Sequence, residues 1–320
     1  MIFVAIASYR DPELFHTIRS VIDNAYDPMN LSFGICQQDF EENYISFDNP
    51  NARFDYYLPH ESMGLCWALN KAYKLYRGEQ YFMQLDAHMQ MPKFWDLQLL
   101  EEYQNVMTTT DKPIIFSSYP AHYELNDEGV RVKTPSLTPH RTRIKFLKNL
   151  KSCIVEGEAI QHTTGQAVKA RYCNGGFMFG HGSFCEKVIY DPQIYFWGTE
   201  IATTIRAYTH GFDLYHPGKF NCWHYYGERK YKGTHDPHHW NKIDEMKRGI
   251  SSGELDRISR ERVEKLLLGE LDKDDPYGLG PVRSLKDYEK YAGVDFKKRK
   301  LTKEAQSGIY NDYRFLNKVA

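Results

Sequence analysis

Strand-like and helix-like segments alternate through the first ninety residues, and this rhythm constrains the fold more than any other feature of the sequence. Short runs rich in apolar and aromatic residues alternate with stretches whose apolar residues recur at helical spacing. The predicted segments are a strand at 2–7, a helix capped by Asp11 with Pro12 at its first position, strands at 31–37 and 54–58, a helix at 64–76 and a strand at 81–85. This order predicts an α/β fold with a twisted, mixed but mostly parallel sheet and helices on both faces.

The last of these strands runs directly into a carboxylate and an imidazole. Asp86 and His88 follow the apolar run Tyr81–Leu85 and are separated by one residue. Because side chains alternate along an extended chain, the two point the same way and can grip one divalent cation at a strand end, where parallel sheets gather their ligands. Such a cation could hold the diphosphate of an activated sugar. The alternative is a turn-capping Asp beside a His that is hydrogen-bonded in a loop, since a motif this short also occurs by chance.

Three further features of the second half of the chain are candidates for the same site. Gly175 and Gly176 precede an aromatic strand, which indicates either a close backbone approach to a ligand or a glycine bulge. A Trp-Gly turn at 197–198 brings Glu200 to the start of a predicted helix, although the helix dipole alone also favours an acid there. His224 is placed to be a third metal ligand, or it is a hydrogen-bonded core histidine.

Composition excludes several classes of function. The formal net charge is -1 and the sequence pI is about 6.9, so no global basic field attracts nucleic acid or anionic membrane. No apolar run is long enough to span a bilayer, and residues 2–7 are predicted to be the first strand and not a signal peptide. The cysteines show no CxxC spacing, which predicts reduced thiols in a cytoplasmic enzyme. They are Cys36, Cys66, Cys153, Cys173, Cys185 and Cys222.

The middle and the C-terminal part of the chain are less regular. Residues 134–162 are polar and basic, which predicts a flexible or acceptor-facing excursion, and 211–217 is predicted to be a short edge strand. Residues 243–268 are charged and predicted to be helical. From this change in composition we expect a catalytic domain at 1–235 and a helical C-terminal extension at 236–320 packed on it.

Six short segments, taken in order, resemble the glycosyltransferase family that includes the cytoplasmic N-acetylglucosaminyltransferases acting on hydroxyproline of the Skp1 protein. The resemblance also takes in residues 277–280 and 283–285, so it extends over about the whole chain to Phe296. It implies a GT-A fold, which is a Rossmann-like fold of nucleotide-diphospho-sugar transferases. The six segments are Ala7-Ser8-Tyr9-Arg10-Asp11, Gly34-Ile35-Cys36-Gln37-Gln38, Gly64-Leu65-Cys66-Trp67-Ala68, Gln84-Leu85-Asp86-Ala87-His88-Met89, Phe196-Trp197-Gly198-Thr199-Glu200 and His224-Tyr225.

The same resemblance implies a role for each matched residue. Asp86 and His88 would contact a metal ion and the donor diphosphate, with His224 as the third protein ligand, and Glu200 would face the sugar or the acceptor, so that Glu200 and Asp86 are the expected catalytic residues. The nucleotide base and ribose would contact the turn formed by Ser8, Tyr9, Arg10 and Asp11. The other expected donor contacts are Gln37, Gly64, Trp67, Gly175, Gly176 and Trp197. The chain departs from the family at Leu69, where an Arg usually follows Trp-Ala, and this departure bears on which sugar is used.

The implied activity is a metal-dependent retaining transfer of N-acetylglucosamine or a related sugar from a UDP-sugar to an acceptor hydroxyl, with Mn²⁺ or Mg²⁺ as cofactor. The acceptor could be a protein, a glycan or a hydroxylated nucleic-acid base, for which the basic stretch 141–151 is the only hint. Two other classes remain open. A metal-dependent hydrolase could use Asp86, His88, His224 and the histidines of 235–239, and a noncatalytic carbohydrate-binding protein could use the aromatic residues alone.

Overall fold

The structure is a computed structural model, and it describes residues 1–135, 139–147, 152–161, 164–227 and 238–309. In chain order, the β-strands of these residues are β1 (Ile2–Tyr9), β2 (Leu31–Gln38), β3 (Ala52–Tyr57), β4 (Tyr81–Asp86), β5 (Met89–Gln90), β6 (Ile114–Ser117), β7 (Ala121–Leu125), β8 (Arg131–Lys133), β9 (His140–Phe146), β10 (Val155–Gln161), β11 (Val168–Lys169), β12 (Phe177–His181), β13 (Asp213–His216), β14 (Trp223–Tyr225), β15 (Val294–Asp295) and β16 (Lys300–Leu301).

The α-helices of the described residues are α1 (Leu14–Asn24), α2 (Leu65–Tyr73), α3 (Trp95–Met107), α4 (Phe184–Lys187), α5 (Thr199–Thr209), α6 (Lys242–Arg248), α7 (Ser252–Leu268), α8 (Leu285–Ala292) and α9 (Lys303–Ser307). Short 3₁₀ turns lie at Pro28–Asn30, Glu41–Asn43 and Pro59–Glu61.

The main sheet has eight strands in the order β11-β13-β6-β12-β4-β1-β2-β3. Its β1–β2, β1–β4, β2–β3 and β6–β13 pairs are parallel, whereas β12 runs antiparallel to both β4 and β6, and β11 runs antiparallel to β13. The prediction of a mixed, mostly parallel sheet is therefore confirmed.

Side chains of β1 alternate between two hydrophobic layers, one on each face of this sheet. Val4 and Ile6 pack with α1 and α3 in one buried cluster. Phe3 and Ala5 pack with α2, α5, α7 and α8 in the other. Because the period of a strand is two, this alternation is what a strand covered by helices on both faces requires.

Strands β1, β2 and β4 end at one edge of the sheet. In the register of the parallel pairs, Ala7 lies opposite Asp86, and Ser8 lies opposite Gln37. The antiparallel strand β12 begins at this edge, and the backbone N–H of Asp86 donates to the carbonyl of Gly176 at 3.3 Å. The sequence-predicted residues at the ends of these strands are thus gathered along one edge.

A second, smaller sheet brings β14, which contains His224, to the same edge of the main sheet. Its order is β5-β14-β7-β8, and β14 pairs with β5 so that His224 lies opposite Met89. The N–H of Tyr225 donates to the carbonyl of His88 at 3.1 Å. Backbone pairing therefore sets His224 beside His88, although 136 positions separate them in sequence.

The described residues of 134–162, for which a flexible or acceptor-facing excursion is predicted, contain regular structure, because β9 and β10 form an antiparallel hairpin. Thr142 and Ile144 are buried on one face of β9, while Arg143 and Lys145 alternate with them and pair with glutamates of β10. A half-buried strand with charged residues on its outer face has the two-residue period of a β-strand but a low mean hydropathy. For this reason the strand was not predicted from the sequence.

Two further predictions need correction. The segment 211–217 contains β13, but β13 is not at the edge, because the two-residue strand β11 pairs outside it. The predicted helix at 243–268 is two helices: Gly249 adopts a left-handed conformation with φ of 78° after α6, and the Ser251 side chain caps α7.

The C-terminal helices share a core with the preceding part of the chain. Val263 of α7 and Tyr288 of α8 belong to the same buried cluster as Ile201 of α5, and the Tyr288 hydroxyl donates to the carbonyl of Arg171 at 2.8 Å. The predicted domain boundary at 235/236 lies outside the described residues, so that division stays a prediction. All six cysteines are described, and each is buried and free of a disulfide. Among the described helices, none combines the length and apolar character that crossing a membrane requires.

Candidate active site

A cavity of about 460 Å³ lies beyond the edge where β1, β2 and β4 end. Its wall includes residues from these strands, from α2 and α5, from the β9–β10 hairpin and from the segment before α6. Those used below are Tyr9, Asp11, Gln38, Ser62, Gly64, Leu65, Ala68, Leu69, Asp86, His88, Glu156, Gly157, Tyr172, Gly175, Gly176, Phe196, Trp197, Glu200, His224, His238, His239 and Trp240. This is the position at which α/β sheets bind ligands.

Asp86, His88 and His224 converge on one point of this wall. One potential ligand atom from each lies within 4.8 Å of the other two. Nε2 of His224 is 2.8 Å from Nε2 of His88 and 3.1 Å from Oδ2 of Asp86. The strand end and the β5–β14 pairing therefore bring together the three predicted ligands.

These distances fit a divalent cation. A six-coordinate ion with ligands at about 2.1 Å separates neighbouring ligand atoms by about 3.0 Å. The two measured contacts, 2.8 and 3.1 Å, are close to that spacing. One carboxylate oxygen and two imidazole nitrogens form a donor set that suits Mn²⁺ and accommodates Mg²⁺.

Asp11 holds His88 from the opposite side of its ring. Its Oδ2 lies 2.8 Å from Nδ1 of His88, and its Oδ1 accepts the backbone N–H of Glu13 at 2.9 Å. A carboxylate at Nδ1 places the proton on that nitrogen, so the lone pair of Nε2 faces the convergence point and can coordinate a metal ion. The prediction that Asp11 caps a helix with Pro12 at its first position is wrong, because α1 begins at Leu14 with Glu13 as its N-cap. The orienting contact of Asp11 with His88 was not predicted from the sequence.

The wall beside Asp86 requires a glycine. A Cβ atom on Gly176 would lie 3.0 Å from Oδ2 of Asp86, which is tighter than an ordinary van der Waals contact. A Cβ atom on Gly175 would meet the Glu200 side chain no closer than 3.8 Å. The two glycines identified in the sequence therefore differ, because a side chain would crowd the carboxylate of Asp86 only at Gly176.

Glu200 is fixed in the first turn of α5 by two hydrogen bonds. Its Oε1 accepts the N–H of Gly175 at 2.8 Å, and its Oε2 accepts the hydroxyl of Tyr172 at 2.9 Å. Burial raises the pKa of Glu200 above its ordinary value, these two hydrogen bonds lower it in part, and the charges of Asp86 and Glu156 raise it further. The result is a rigid carboxylate, aimed into the cavity, whose proton is held more tightly than usual.

The predicted nucleotide contacts divide into two groups. Tyr9, Asp11, Gly64, Gly175, Gly176 and Trp197 lie in the cavity wall. Ser8, Arg10, Gln37 and Trp67 do not, and their roles as donor contacts stay predictions. Gln37 instead holds the following loop, since its side chain donates to the carbonyl of Asn43 and accepts from the N–H of Ile45. Its neighbour Gln38 lines the cavity instead, because successive side chains of β2 point to opposite faces of the sheet.

Gly64 and Trp67 illustrate the same division on α2. Gly64 has φ of 100°, and a Cβ atom there would lie 2.4 Å from the carbonyl oxygen of Tyr195, so a side chain cannot replace it. Trp67 packs edge-on against Tyr57 on another side of the helix. Leu65, Ala68 and Leu69 form the α2 part of the wall, so Leu69 faces the cavity where the resembling family usually has Arg.

Several wall residues were not predicted from the sequence. Tyr172 stands three positions before Gly175, close enough to the glycine pair to have been suspected. Glu156 and Gly157 come from the hairpin that was taken for an irregular segment. His238 and His239 were considered only as residues of the hydrolase alternative, Trp240 was not considered, and no spacing rule connects the three to the sheet edge.

Comparisons with known proteins identify the fold and the family. The crystal structure of GalNAc-T7 with UDP, GalNAc and Mn²⁺ superposes with a TM-score of 0.56 at 15% identity, covering 99% of this chain and 57% of that one. This likeness shows a shared fold, the GT-A fold, and this chain spans little more than half the length of that protein.

Two crystal structures of S. aureus TarS residues 1–349 match more weakly, with TM-scores of 0.41 and 0.42 at 11% and 12% identity. They cover 68% and 86% of this chain and 60% and 78% of theirs, and the second is a complex with UDP-GlcNAc. No curated protein sequence matches the chain. A family model described as Glycosyltransferase (GlcNAc) matches residues 1–55 and 45–298. The chain therefore belongs to the Glycosyltransferase (GlcNAc) family.

Proposed function

We propose that this protein is a metal-dependent retaining glycosyltransferase that moves a sugar from a UDP-sugar to an acceptor hydroxyl. The observation that carries the proposal is the convergence of Asp86, His88 and His224 on one side of a cavity that also holds Glu200. Family membership and the fold shared with GalNAc-T7, which was solved with UDP, GalNAc and Mn²⁺, support it.

Charge in the cavity favours dependence on a metal ion. The described part of the wall carries the carboxylates of Asp11, Asp86, Glu156 and Glu200 but no Lys or Arg. A diphosphate brought into this wall would find few protein cations to balance it. Asp86, His88 and His224 would hold Mn²⁺ or Mg²⁺, and the bound ion supplies the charge that stabilises the leaving diphosphate. The two imidazoles favour manganese.

The wall suggests where the parts of the donor bind. Tyr9, Gln38 and Gly64 lie at one end, where the nucleoside would contact the ends of β1 and β2 and the start of α2. Gly175 and Gly176 allow the sugar to approach the backbone closely beside Glu200. Leu69 presents an apolar side chain to this region, so the sugar, N-acetylglucosamine or a related one, meets no guanidinium from α2.

The retaining step can be written with these residues. The acceptor oxygen forms a bond to the anomeric carbon on the face from which the diphosphate leaves, the bond from that carbon to the diphosphate oxygen breaks, and the acceptor proton passes to the departing diphosphate. Glu200 lies beside the sugar position, and its fixed carboxylate stabilises the positive charge that develops on the ring or orients the acceptor. Because both of its oxygens already accept hydrogen bonds, a role as covalent nucleophile is less favoured.

The acceptor is proposed to be a hydroxyl of a protein or a glycan. The basic stretch that hinted at nucleic acid is largely neutralised where it is described, since Arg143 lies 3.1 Å from Glu158 and Lys145 lies 3.5 Å from Glu156. We also propose that the chain is related more closely to the Skp1-hydroxyproline transferases. This relationship rests on the six segments that match in order. A hydrolase would depend on the histidines of 235–239. Residues 235–237 of this cluster lie outside the described residues.

The proposal is tested by thermal unfolding with a panel of UDP-, GDP- and other nucleotide-sugars, with and without Mn²⁺, on the wild type and on Asp86→Ala. Stabilisation by one UDP-sugar that requires Mn²⁺ and is lost in the variant supports the proposal. Asp23→Ala serves as the control, because Asp23 forms an exposed ion pair with Arg19 on α1 and does not line the cavity. No response of the wild type to any nucleotide-sugar, with the metal or without it, would overturn it.

A further inference from the structure

Helix α6 ties together three segments that surround one end of the cavity. Asp244 and Arg248 lie four positions apart and therefore on one face of the helix. Oδ2 of Asp244 accepts the hydroxyl of Tyr9 at 2.5 Å and lies 3.5 Å from Nη1 of Arg10. The carboxylate of Asp244 thus joins α6 to Tyr9, which is the last residue of β1, and to Arg10, which follows it.

Arg248 makes the other connections of this helix. Its Nη1 donates to the carbonyl of Ser62 at 2.7 Å, and its Nη2 donates to the carbonyl of His239 at 2.9 Å. Ser62 precedes α2, and both Ser62 and His239 lie in the cavity wall with Tyr9. One face of α6 therefore fixes the end of β1, the approach to α2 and the loop before α6 relative to one another.

The contact between Asp244 and Tyr9 is made behind the wall. Tyr9 lines the cavity, whereas Asp244 is 3% exposed and is not part of the wall. Burial and the hydrogen bond to Asp244 raise the pKa of Tyr9, so the phenol stays protonated and remains the donor. The Tyr9 ring is consequently held by its hydroxyl from outside the cavity, and rotation about its χ1 would break a buried hydrogen bond.

Arg10 is held by the same carboxylate in an uncommon backbone conformation. Its φ is 47°, its N–H donates to the carbonyl of Gln38 at 2.9 Å, and its guanidinium lies 5.0 Å from the ring centroid of Phe40. A non-glycine residue at positive φ persists only where its surroundings fix it. The contact with Asp244 helps to fix Arg10 in this conformation. The next residue, Asp11, orients His88.

From these contacts we propose that Asp244 is a positioning residue for the nucleoside of the donor, acting through Tyr9, and that α6 forms the supporting end wall of the nucleoside pocket. The inference rests on the proposed function, since it concerns the binding of a uridine diphosphate. A base stacks on an aromatic face that is already oriented more strongly than on one that must first be ordered. Asp244 forms its hydrogen bonds with Tyr9 and Arg10, whereas Asp11 is held by its own contacts with the N–H of Glu13 and with His88. The diphosphate end should therefore not depend on Asp244.

The test is a calorimetric titration with UDP and, separately, with inorganic pyrophosphate, both in saturating Mn²⁺. The proteins are the wild type, Tyr9→Phe, Asp244→Ala and the double variant. Asp256→Ala is the matched control, because it removes a carboxylate that pairs with Arg260 at 2.6 Å on α7 and does not line the cavity. Thermal unfolding verifies that each variant is folded, and Tyr9→Phe keeps the test decisive if Asp244→Ala is not.

Each single variant is expected to weaken UDP binding about tenfold or more, because it removes a buried hydrogen bond to a charged group. The double variant should be no weaker than the singles, since all three lack the same bond. Pyrophosphate affinity should stay within about twofold of the wild type, as should both affinities of Asp256→Ala.

The outcomes separate this inference from the proposed function. If the wild type binds UDP but Tyr9→Phe and any folded Asp244→Ala bind it equally well, or lose pyrophosphate to the same degree, Asp244 does not position the nucleoside and the inference is wrong. If the wild type binds neither UDP nor pyrophosphate in Mn²⁺, the proposed function itself fails. If it binds pyrophosphate but not UDP, both the nucleoside pocket and the UDP donor are contradicted.

Discussion

The carboxylate of Asp11 lies 2.8 Å from Nδ1 of His88, whose Nε2 faces His224. The contact connects the turn after β1 with the end of β4, so a residue that lies just before α1 also fixes the imidazole that we propose as a metal ligand. We expect Asp11→Asn to lower Mn²⁺ affinity about tenfold, because the amide keeps the shape but not the charge that holds the ring. Calorimetric titration with Mn²⁺ measures this.

A carboxylate of α1 provides the control for that substitution. Asp23 forms an exposed ion pair with Arg19 at 2.8 Å, so Asp23→Asn should bind Mn²⁺ like the wild type. Equal affinities for Asp11→Asn and Asp23→Asn would show that Asp11 does not support the metal site.

The two adjacent glycines offer a matched pair of substitutions. Gly176→Ala places a methyl group 3.0 Å from Oδ2 of Asp86, so the carboxylate must shift, and we expect Mn²⁺ affinity to fall about tenfold. Gly175→Ala makes only an ordinary contact with Glu200 and should leave metal affinity unchanged. The same titration compares them, and an identical response of the two variants would contradict the geometry described for Asp86.

Glu200 should govern the rate more than substrate affinity. We expect Glu200→Gln to lower kcat about a hundredfold with little change in the KM of the donor, because a neutral amide cannot stabilise charge that appears only in the transition state. Steady-state kinetics with the responsive UDP-sugar measure both constants. A variant with wild-type kcat would remove Glu200 from the mechanism.

The acid limb of the pH profile should report the proton on Glu200. Burial raises its pKa and the Tyr172 hydroxyl lowers it, so Tyr172→Phe raises that pKa further. Because the ionised carboxylate is the active form, the activity of this variant should fall at a higher pH on acidification than that of the wild type. Profiles of kcat in saturating Mn²⁺ test the sign, and a shift to lower pH would be inconsistent with it.

Glu79 lies away from the cavity and links stability to pH. Burial would raise its pKa, but hydrogen bonds from the Ser32 hydroxyl, the Arg77 backbone N–H and the Arg53 guanidinium outweigh it, so the pKa lies below its ordinary value. Its contribution to stability is therefore complete above the unfolded-state value of 4.5 and is lost as the pH falls through the lower folded-state value.

Glu79→Gln should thus lower the free energy of unfolding by about 1–2 kcal/mol at pH 7, and the difference should shrink on acidification. Urea denaturation at pH 7 and at acidic pH measures it, with the exposed Glu101→Gln as the control. A loss of stability that is constant with pH would indicate that only the shape of Glu79 matters.

Much of the fold could be predicted because its strands have strong local signals. The apolar runs of β1 and β4 identify both strands in the sequence, although β1 continues to Tyr9 and β4 to Asp86, beyond the predicted ends at 7 and 85. The hairpin β9–β10 could not be recognised from the sequence. The charged residues Arg143 and Lys145 alternate with the buried Thr142 and Ile144, so the mean hydropathy of the strand is low. Its pairing becomes favourable only when Tyr172 and α5 cover the inner face, and that contact is non-local.

The candidate site shows the same division. Asp86 and His88 are close in sequence, so one strand fixes their relation. His224, Tyr172 and the contact of Asp11 with His88 depend on pairing between distant strands, which residue spacing does not encode. Gln37 and Gln38 are adjacent in β2 and therefore point to opposite faces, and the sequence alone does not show which of these faces meets the cavity.

The most direct test of the account is the release of UDP from UDP-N-acetylglucosamine and UDP-N-acetylgalactosamine by the wild type and by His224→Ala, each with Mn²⁺ and with the metal chelated. The account predicts that the wild type releases UDP from at least one donor only with Mn²⁺, and that His224→Ala releases it at least about a hundredfold more slowly. Release that continues at the same rate in the chelated sample, or that is unaffected in the variant, would contradict a metal-dependent transferase built on Asp86, His88 and His224.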